Sequence, residues 1–271
     1  MKYINETELA EGLRHLGLQK GDTVLVHSSL FALGLLEGFK PAEQAEAYLN
    51  VLRNSIGDDG TLIAPAFNFD FCKGKTFHRQ NTPSSGMGVL SEAIRTAKDA
   101  ERSKHPMQSI SVLGRHSRWI TEPDTESSFS PEGPFHRFIE LNGKLLFLGS
   151  TIQAAALIHW VEERLSVPYR FWKSFTGEYI DEEEGIHEER TYNMFVRDLK
   201  INPLLHLHPI ENRLTEQSQM IVTKLGMGAM KLTDAEDFIR VAQNLLENDP
   251  YSLLENIEEV KEKMNLMDCD D

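Results

Sequence analysis

KLLFLGSTIQAAALIHWVEERL, residues 144–165, decides the fold. The short apolar run KLLFLGS reads as a buried strand, and the segment behind it, AAALIHWVEERL, reads as a helix. Within that mostly apolar stretch stands one histidine, His159, with Glu162 three places further on and Glu163 four. A strand that feeds a helix is one half of an α/β repeat, and the same order recurs on the N-terminal side. ETELAEGLRHLG sets Leu9, Leu13 and Leu16 at helical spacing and ends at Gly17, ahead of the apolar stretch TVLVHSSL. AEQAEAYLNVLRNSIG is helical with Leu49 and Leu52 on one side, and Gly57-Asp58-Asp59-Gly60 turns it into TLIAPAF. GMGVLSEAIRTAKD, SISVLG and PFHRFIELNG carry the alternation up to Lys144. Strands alternating with helices make an α/β layered fold with a mixed, largely parallel central sheet.

C-terminal to the histidine helix the pattern changes. FWKSFTGEYI and HEERTYNMFVRDL flank the acidic turn DEEEG as the two arms of an antiparallel hairpin added to the sheet. TEQSQMIVTKLG, DAEDFIRVAQNLLEND and PYSLLENIEEVKEKM read as amphipathic C-terminal helices, with Thr233 and Asp234 suited to cap the middle one. No repeat, low-complexity tract or Pro/Gly/Ser-rich linker divides the 271 residues, so one domain over 1–271 is expected.

Composition excludes several classes of function. A chain of this length buries about three-quarters of its unfolded surface, so its core requires neither disulfides nor a metal. Two cysteines, Cys72 and Cys269, are too few for a disulfide framework, which predicts a reducing cytoplasmic location. The N-terminus lacks the basic-then-apolar order of a secretory signal, and no apolar run reaches the roughly 18 residues of a membrane helix. With 42 acidic against 28 basic residues the formal charge is -14, which disfavours nucleic acid as a partner and favours a cationic or small polar substrate.

In open α/β sheets ligands gather beyond the carboxyl ends of the strands. Ser28 and Ser29 follow the strand TVLVH, and their hydroxyls suit either a phosphate or a plain turn. Gly86 and Gly88 bracket Met87 at the start of a helix, where a ligand can approach the backbone; this G-x-G is not a dinucleotide fingerprint. Arg102 and His105 of ERSKHPMQS suit an anion as well as a structural role. On a helix, Glu162 or Glu163 falls on the face of His159, and a carboxylate partner fixes the imidazole tautomer and raises its basicity. The same spacing also fits a core histidine satisfied by a glutamate.

Taken in order, VHSSL, GTLIAPAF, TPSSGMGVLSEAIR, RSKHP, Ser130-Pro131, LLFLGS and HWVEERLSVPYR resemble the aminoglycoside 3-N-acetyltransferase family, also called the antibiotic N-acetyltransferases, from about residue 6 to about residue 250. The resemblance implies a single acetyltransferase domain with that family's α/β fold, acetyl-coenzyme A as co-substrate and no metal. It implies a small-molecule amine as acceptor: an amino sugar, a nucleotide-linked amino sugar or an aminoglycoside. His159 matches the family's catalytic histidine, with Glu162 at its H-x-x-E spacing. Ser28, Ser29 and Leu30 match the coenzyme A region; Met87, Gly88, Arg102, Ser103 and His105 match motifs lining the same cleft. Members of the family usually carry a threonine shortly before the histidine, where this chain has Ala155-Ala156-Leu157-Ile158. Of the acidic positions that hold cationic antibiotics in drug-resistance members, Asp70 and Asp198 stand nearest here, and antibiotic acetylation is expected to be poor.

Attack of an amine on a thioester requires a base, which His159 can supply, and backbone N–H donors for the oxyanion, which the Ser28-Ser29-Leu30 turn or the Gly86-Met87-Gly88 turn can supply. Direct transfer is expected in preference to an acyl-enzyme, because Cys72 sits in a polar loop with no histidine assigned beside it. Two alternatives remain at this level. One is a metal-dependent hydrolase using His159, Glu162, His206 and His208. The other is a family member that binds coenzyme A without turnover.

Overall fold

A computed structural model describes residues 2–268; Cys269 of the acidic tail lies outside them. β1 (Tyr3–Ile4) leads into α1 (Glu6–His15). The start of α1 is fixed reciprocally: the Asn5 side chain accepts from Glu8 N–H and the Glu8 carboxylate accepts from Asn5 N–H, both at 2.8 Å. β2 (Thr23–Ser28) is followed by α2 (Leu30–Leu33), β3 (Leu35–Leu36), α3 (Gln44–Ile56) and β4 (Thr61–Pro65). Next come β5 (Phe77–His78), α4 (Val89–Thr96), β6 (Glu101–Arg102), β7 (Ile110–Gly114), α5 (Ser117–Thr121) and α6 (Pro134–Glu140). The stretch KLLFLGSTIQAAALIHWVEERL folds as β8 (Lys144–Leu148) and α7 (Ile158–Leu165). The chain ends with β9 (Arg170–Asp181), β10 (Ile186–Arg197), α8 (His208–Glu216), β11 (Met220–Leu225), β12 (Gly228–Asp234), α9 (Ala235–Asn248) and α10 (Ile257–Asp268).

Seven strands form the central sheet in the order β11-β12-β8-β2-β4-β7-β6. Its middle strands are buried on both faces, which is why they read as continuous apolar runs. Val24 and Val26 of β2, Leu62 and Ala64 of β4, and Leu146 and Leu148 of β8 join the core on the α1–α3–α4 side. Leu25, Ile63, Leu145 and Phe147 point to the opposite face, under α6, α7, α8 and α9. β9 and β10 form the expected hairpin, which adds β5 in a separate three-stranded sheet.

The sheet is mixed, but the expectation of a largely parallel one is corrected. β2 is parallel to β4 and β8, and every other neighbouring pair is antiparallel. α4 does return the chain to a strand in the β4 direction, β6. That strand is only two residues long, and the turn through Ser103 and Ser109 sends β7 back between β4 and β6. TEQSQMIVTKLG is not a helix: α8 stops at Glu216, and the β-branched run Ile221-Val222-Thr223 pairs with β12. Asp234 is the N-cap of α9 in extended geometry, without a side-chain capping bond. In PYSLLENIEEVKEKM helix begins only at Ile257. No described helix is long and apolar enough to cross a membrane.

Candidate active site

The chain leaves β8 through Gly149 and enters α7 with Ile158 and His159. Ala155, Ala156 and Leu157 are packed in the core, so the positions where a family threonine is usual are closed by methyl groups here. His159 stands at the edge of a groove of about 690 Å³ walled by the roots of β9 and β10. Its ring meets Phe129 edge-on at 5.8 Å, and 28% of the side chain stays exposed. Nδ1 lies 2.6 Å from Glu162 Oε2; Nε2 has no partner among the described residues.

Glu162 is 0% exposed and is held from three sides. Besides His159, the Tyr169 hydroxyl donates to Oε1 at 3.1 Å, and Arg170 Nε lies 2.9 Å from Oε2 as an ion pair without hydrogen-bond alignment. Burial by itself would push this carboxyl up. The His159 hydrogen bond and the charge of Arg170 outweigh it and hold the group below the usual carboxylate range. Glu163 faces elsewhere and accepts from Ser127 Oγ at 2.7 Å, and burial pushes its carboxyl up. The i+3 carboxylate is therefore the one on the imidazole. Tyr169 and Arg170 carried no role in the sequence reading. Their signal was a glutamate on the buried face of a helix, which requires a cation, with Arg170 within reach in the same HWVEERLSVPYR motif.

Two glycine-containing turns meet at the carboxyl end of β2. Gly88, at φ 88°, lies so close to the first serine that an added Cβ would come 3.3 Å from Ser28 O and 3.7 Å from its Oγ. A Cβ at Gly149, at φ 68°, would come 2.6 Å from Ser29 O. Ser29 N–H donates to Leu148 O at 2.8 Å, and Ser150 Oγ donates to His27 O at 2.9 Å. Ser29 is exposed, Ser28 half-buried, and neither hydroxyl has a partner among the described residues. Leu30 is buried and offers only its backbone, whereas Met87 is half-buried against the core on the His159 side.

Arg102, Ser103 and His105 reach the same end of the sheet, with their polar atoms turned inward onto protein partners. Arg102 donates through Nε to Ser109 Oγ at 2.9 Å, through Nη2 to Ala66 O at 2.8 Å, and through Nη1 to Arg79 O at 3.2 Å and to Thr82 O. Ser103 Oγ accepts from Ile110 N–H at 2.9 Å. His105 Nδ1 accepts from Gln108 N–H at 3.0 Å, Nε2 lies 3.1 Å from Asn193 O, and burial pushes the imidazole down to about 4. A strand turn that must carry a loop between β6 and β7 consumes these groups.

Of the two acidic candidates, Asp198 lies in the wall of the His159 groove and accepts from Lys200 N–H at 2.8 Å. Asp70 does not; its neighbour Phe69 does, while the Asp70 oxygens meet Lys73 at 2.9 Å and Lys75 at 2.8 Å. The rings of His206 and His208 lie 4.9 Å apart, tilted by 37°, and among the described residues no three His, Cys, Asp or Glu side chains are grouped to hold a metal ion. Glu162, engaged on both oxygens, is no free ligand either.

Comparison with known proteins bears on this geometry. The family model described as aminoglycoside 3-N-acetyltransferase matches residues 25–247. An aminoglycoside N(3)-acetyltransferase III from Salmonella sp. is 29% identical over 185 residues, covering 62% of this chain and 63% of the relative's length, so the match spans less than two thirds of that relative. An aminoglycoside N(3)-acetyltransferase VII from Streptomyces paromomycinus is 28% identical over 216 residues, covering 67% and 73%. Among solved structures, AAC-IIIb in a binary complex with CoASH superposes with a TM-score of 0.80 at 23% identity, over 91% of this chain and 97% of the other. AAC-VIa bound to sisomicin does so at 0.77 and 21%, over 90% and 98%. At these identities the superpositions establish a shared fold.

Proposed function

The chain belongs to the aminoglycoside 3-N-acetyltransferase family, and from that premise we propose that it is an acetyl-coenzyme A-dependent N-acetyltransferase acting on a small-molecule amine, an amino sugar, a nucleotide-linked amino sugar or an aminoglycoside. The observation that carries the reading is the imidazole of His159, pinned at Nδ1 by a buried, ionised Glu162 and free at Nε2 toward a groove. Arg170 and Tyr169 keep Glu162 charged and in place, so Nδ1 carries the proton and Nε2 is the basic nitrogen.

In this reading the acceptor amine loses a proton to Nε2 as its nitrogen attacks the thioester carbonyl carbon. The C–S bond then breaks, the amide remains on the acceptor, and the proton held by His159 passes to the departing sulfur. Charge developing on the carbonyl oxygen would be met by free backbone N–H groups, for which the Ser28-Ser29-Leu30 turn and the Gly86-Met87-Gly88 turn at the start of α4 are the candidates. Ser28, Ser29, the Leu30 backbone, Met87 and Gly88 support a coenzyme A site, because two unpartnered hydroxyls stand where Gly88 and Gly149 let the turns approach one another closely. The test is thiol release from acetyl-coenzyme A against a panel of amines. Turnover with at least one amine supports the reading; coenzyme A binding without thiol release across the panel would assign a binding protein instead.

A further inference from the structure

We propose that the acceptor preferred by this site carries a negative charge of its own, as an amino sugar bearing a phosphate, free or within a sugar nucleotide. This rests on the reading of the His159 groove as the acceptor side of an acetyltransferase. The chain as a whole has a charge of -14, yet the groove is the reverse. Lys173, Arg197 and Lys200 line its wall against one carboxylate, Asp198. All three cations are exposed, and among the described residues none is in an ion pair, unlike Arg170, which is committed to Glu162. Lys173 Nζ lies 5.2 Å from the centroid of the Phe175 ring, a contact that brings no counter-charge.

Two further features fit the same ligand. Phe69 and Phe171 are 41% and 46% exposed in the same wall, large apolar faces of the kind on which a sugar or base stacks. A polycation, by contrast, finds no compensating acids: Asp70 is outside the wall and paired with two lysines, and Asp198 is flanked by Arg197 and Lys200. The cations also favour the neutral, nucleophilic form of the acceptor amine over the ammonium.

The experiment measures thiol release with glucosamine, glucosamine 6-phosphate, UDP-linked glucosamine and sisomicin. At least one phosphate-bearing sugar should exceed glucosamine in kcat/KM by about tenfold, the scale of one charge-assisted contact, with the margin shrinking as salt rises. Preference for the UDP-linked sugar assigns the exposed rings to the base; preference for the simple phosphate assigns the cations alone. Lys173→Gln, Arg197→Gln and Lys200→Gln should each lower the ratio of phosphate-bearing to neutral acceptor toward one. Glucosamine or sisomicin used as well as the phosphate-bearing sugars would overturn the charge inference while leaving the acetyltransferase reading intact. A rise in KM for acetyl-coenzyme A in the three variants, with the acceptor ratio unchanged, would reassign the cations to the coenzyme and also overturn it. Absence of thiol release with every amine would count against the reaction itself; calorimetry with glucosamine 6-phosphate and glucosamine then decides the charge question, tighter binding of the phosphate supporting it and equal binding refuting it.

Discussion

His105 and His159 both have Nδ1 engaged at short range, and the difference between them lies in what holds it and what faces the other nitrogen. In the turn between β6 and β7, His105 is 3% exposed, with both ring nitrogens taken by backbone groups, one accepting and one donating. Such a ring is neutral and closed, and burial pushes its titration to about 4. On α7, His159 has a carboxylate on Nδ1 and a groove before Nε2. A base requires that asymmetry: one nitrogen fixed by an acid, the other open. The same contrast separates Arg102, whose donors are consumed by carbonyls, from the exposed Lys173 and Lys200. The turn holds the sheet end together, and the groove is left with unsatisfied chemistry.

The sharpest way to break this comparison is at the turn. Arg102→Ala leaves the carbonyls of Thr82 and Arg79 without their donor, while Ala66 O keeps Ser109 Oγ, and at roughly 1–3 kcal/mol for each orphan the loss in urea unfolding should be at least about 2 kcal/mol. Arg102→Lys should fail to restore it, because one ammonium cannot reproduce the guanidinium fork. A variant unfolding within about 0.5 kcal/mol of wild type, the range of ordinary surface changes, would return Arg102 to a ligand role.

Buried imidazole rings also shape the acid response. His27 and His105 are buried and both pushed down to about 4. Between pH 6.5 and about 4 the unfolded chain takes up protons that these rings refuse in the folded state. Stability is therefore full above pH 6.5 and falls by about 1.4 kcal/mol per pH unit for each ring as pH drops through that window. His105→Gln should flatten the slope of the unfolding midpoint against pH, and an unaltered slope would remove His105 from the account. Below that window the depressed carboxyl of Glu162 continues the trend, its stabilisation lost as pH falls through its own folded titration.

Smaller effects are expected at the groove and at the serine turn. Glu162→Gln should lower turnover by about 10-fold to 100-fold per folded molecule, less than loss of the base itself, and should move the acidic limb of the pH–rate profile to lower pH, since a negative neighbour is removed. A limb that stays in place would uncouple Glu162 from the reaction. Ser29→Asp should raise KM for acetyl-coenzyme A by about tenfold, by setting a carboxylate against phosphate. Unchanged coenzyme A affinity by calorimetry would remove Ser29 from the site.

These differences mark what a linear sequence carries. β2, β4 and β8 were legible because burial on both faces makes their runs continuously apolar, and the β9–β10 hairpin because DEEEG separates two β-rich arms. The direction of β7 was not, since period and composition are the same for parallel and antiparallel strands. β11 was read as helix because a short amphipathic run is ambiguous until β12 is there to pair with it. Helical spacing leaves Glu162 and Glu163 both within reach of His159, the family's H-x-x-E spacing favours Glu162, and the structure has that pair at 2.6 Å. Arg102 and His105 had the residue types of an anion site, but the inward aim of a side chain is set by the carbonyls around it, which lie far away in sequence. For the same reason the net charge predicted a cationic or small polar substrate, while Lys173, Arg197 and Lys200 gather around one groove only after folding.

The central claim is that His159 is the general base, and the most direct measurement is the single-turnover rate of His159→Ala with saturating acetyl-coenzyme A and the best amine of the panel, normalised to folded protein. The rate should fall by about 10² to 10⁴, with coenzyme A affinity and melting temperature close to wild type. A folded variant that keeps more than about a tenth of the wild-type rate, below the span of general-base catalysis, would contradict the claim and make His159 a structural partner of Glu162.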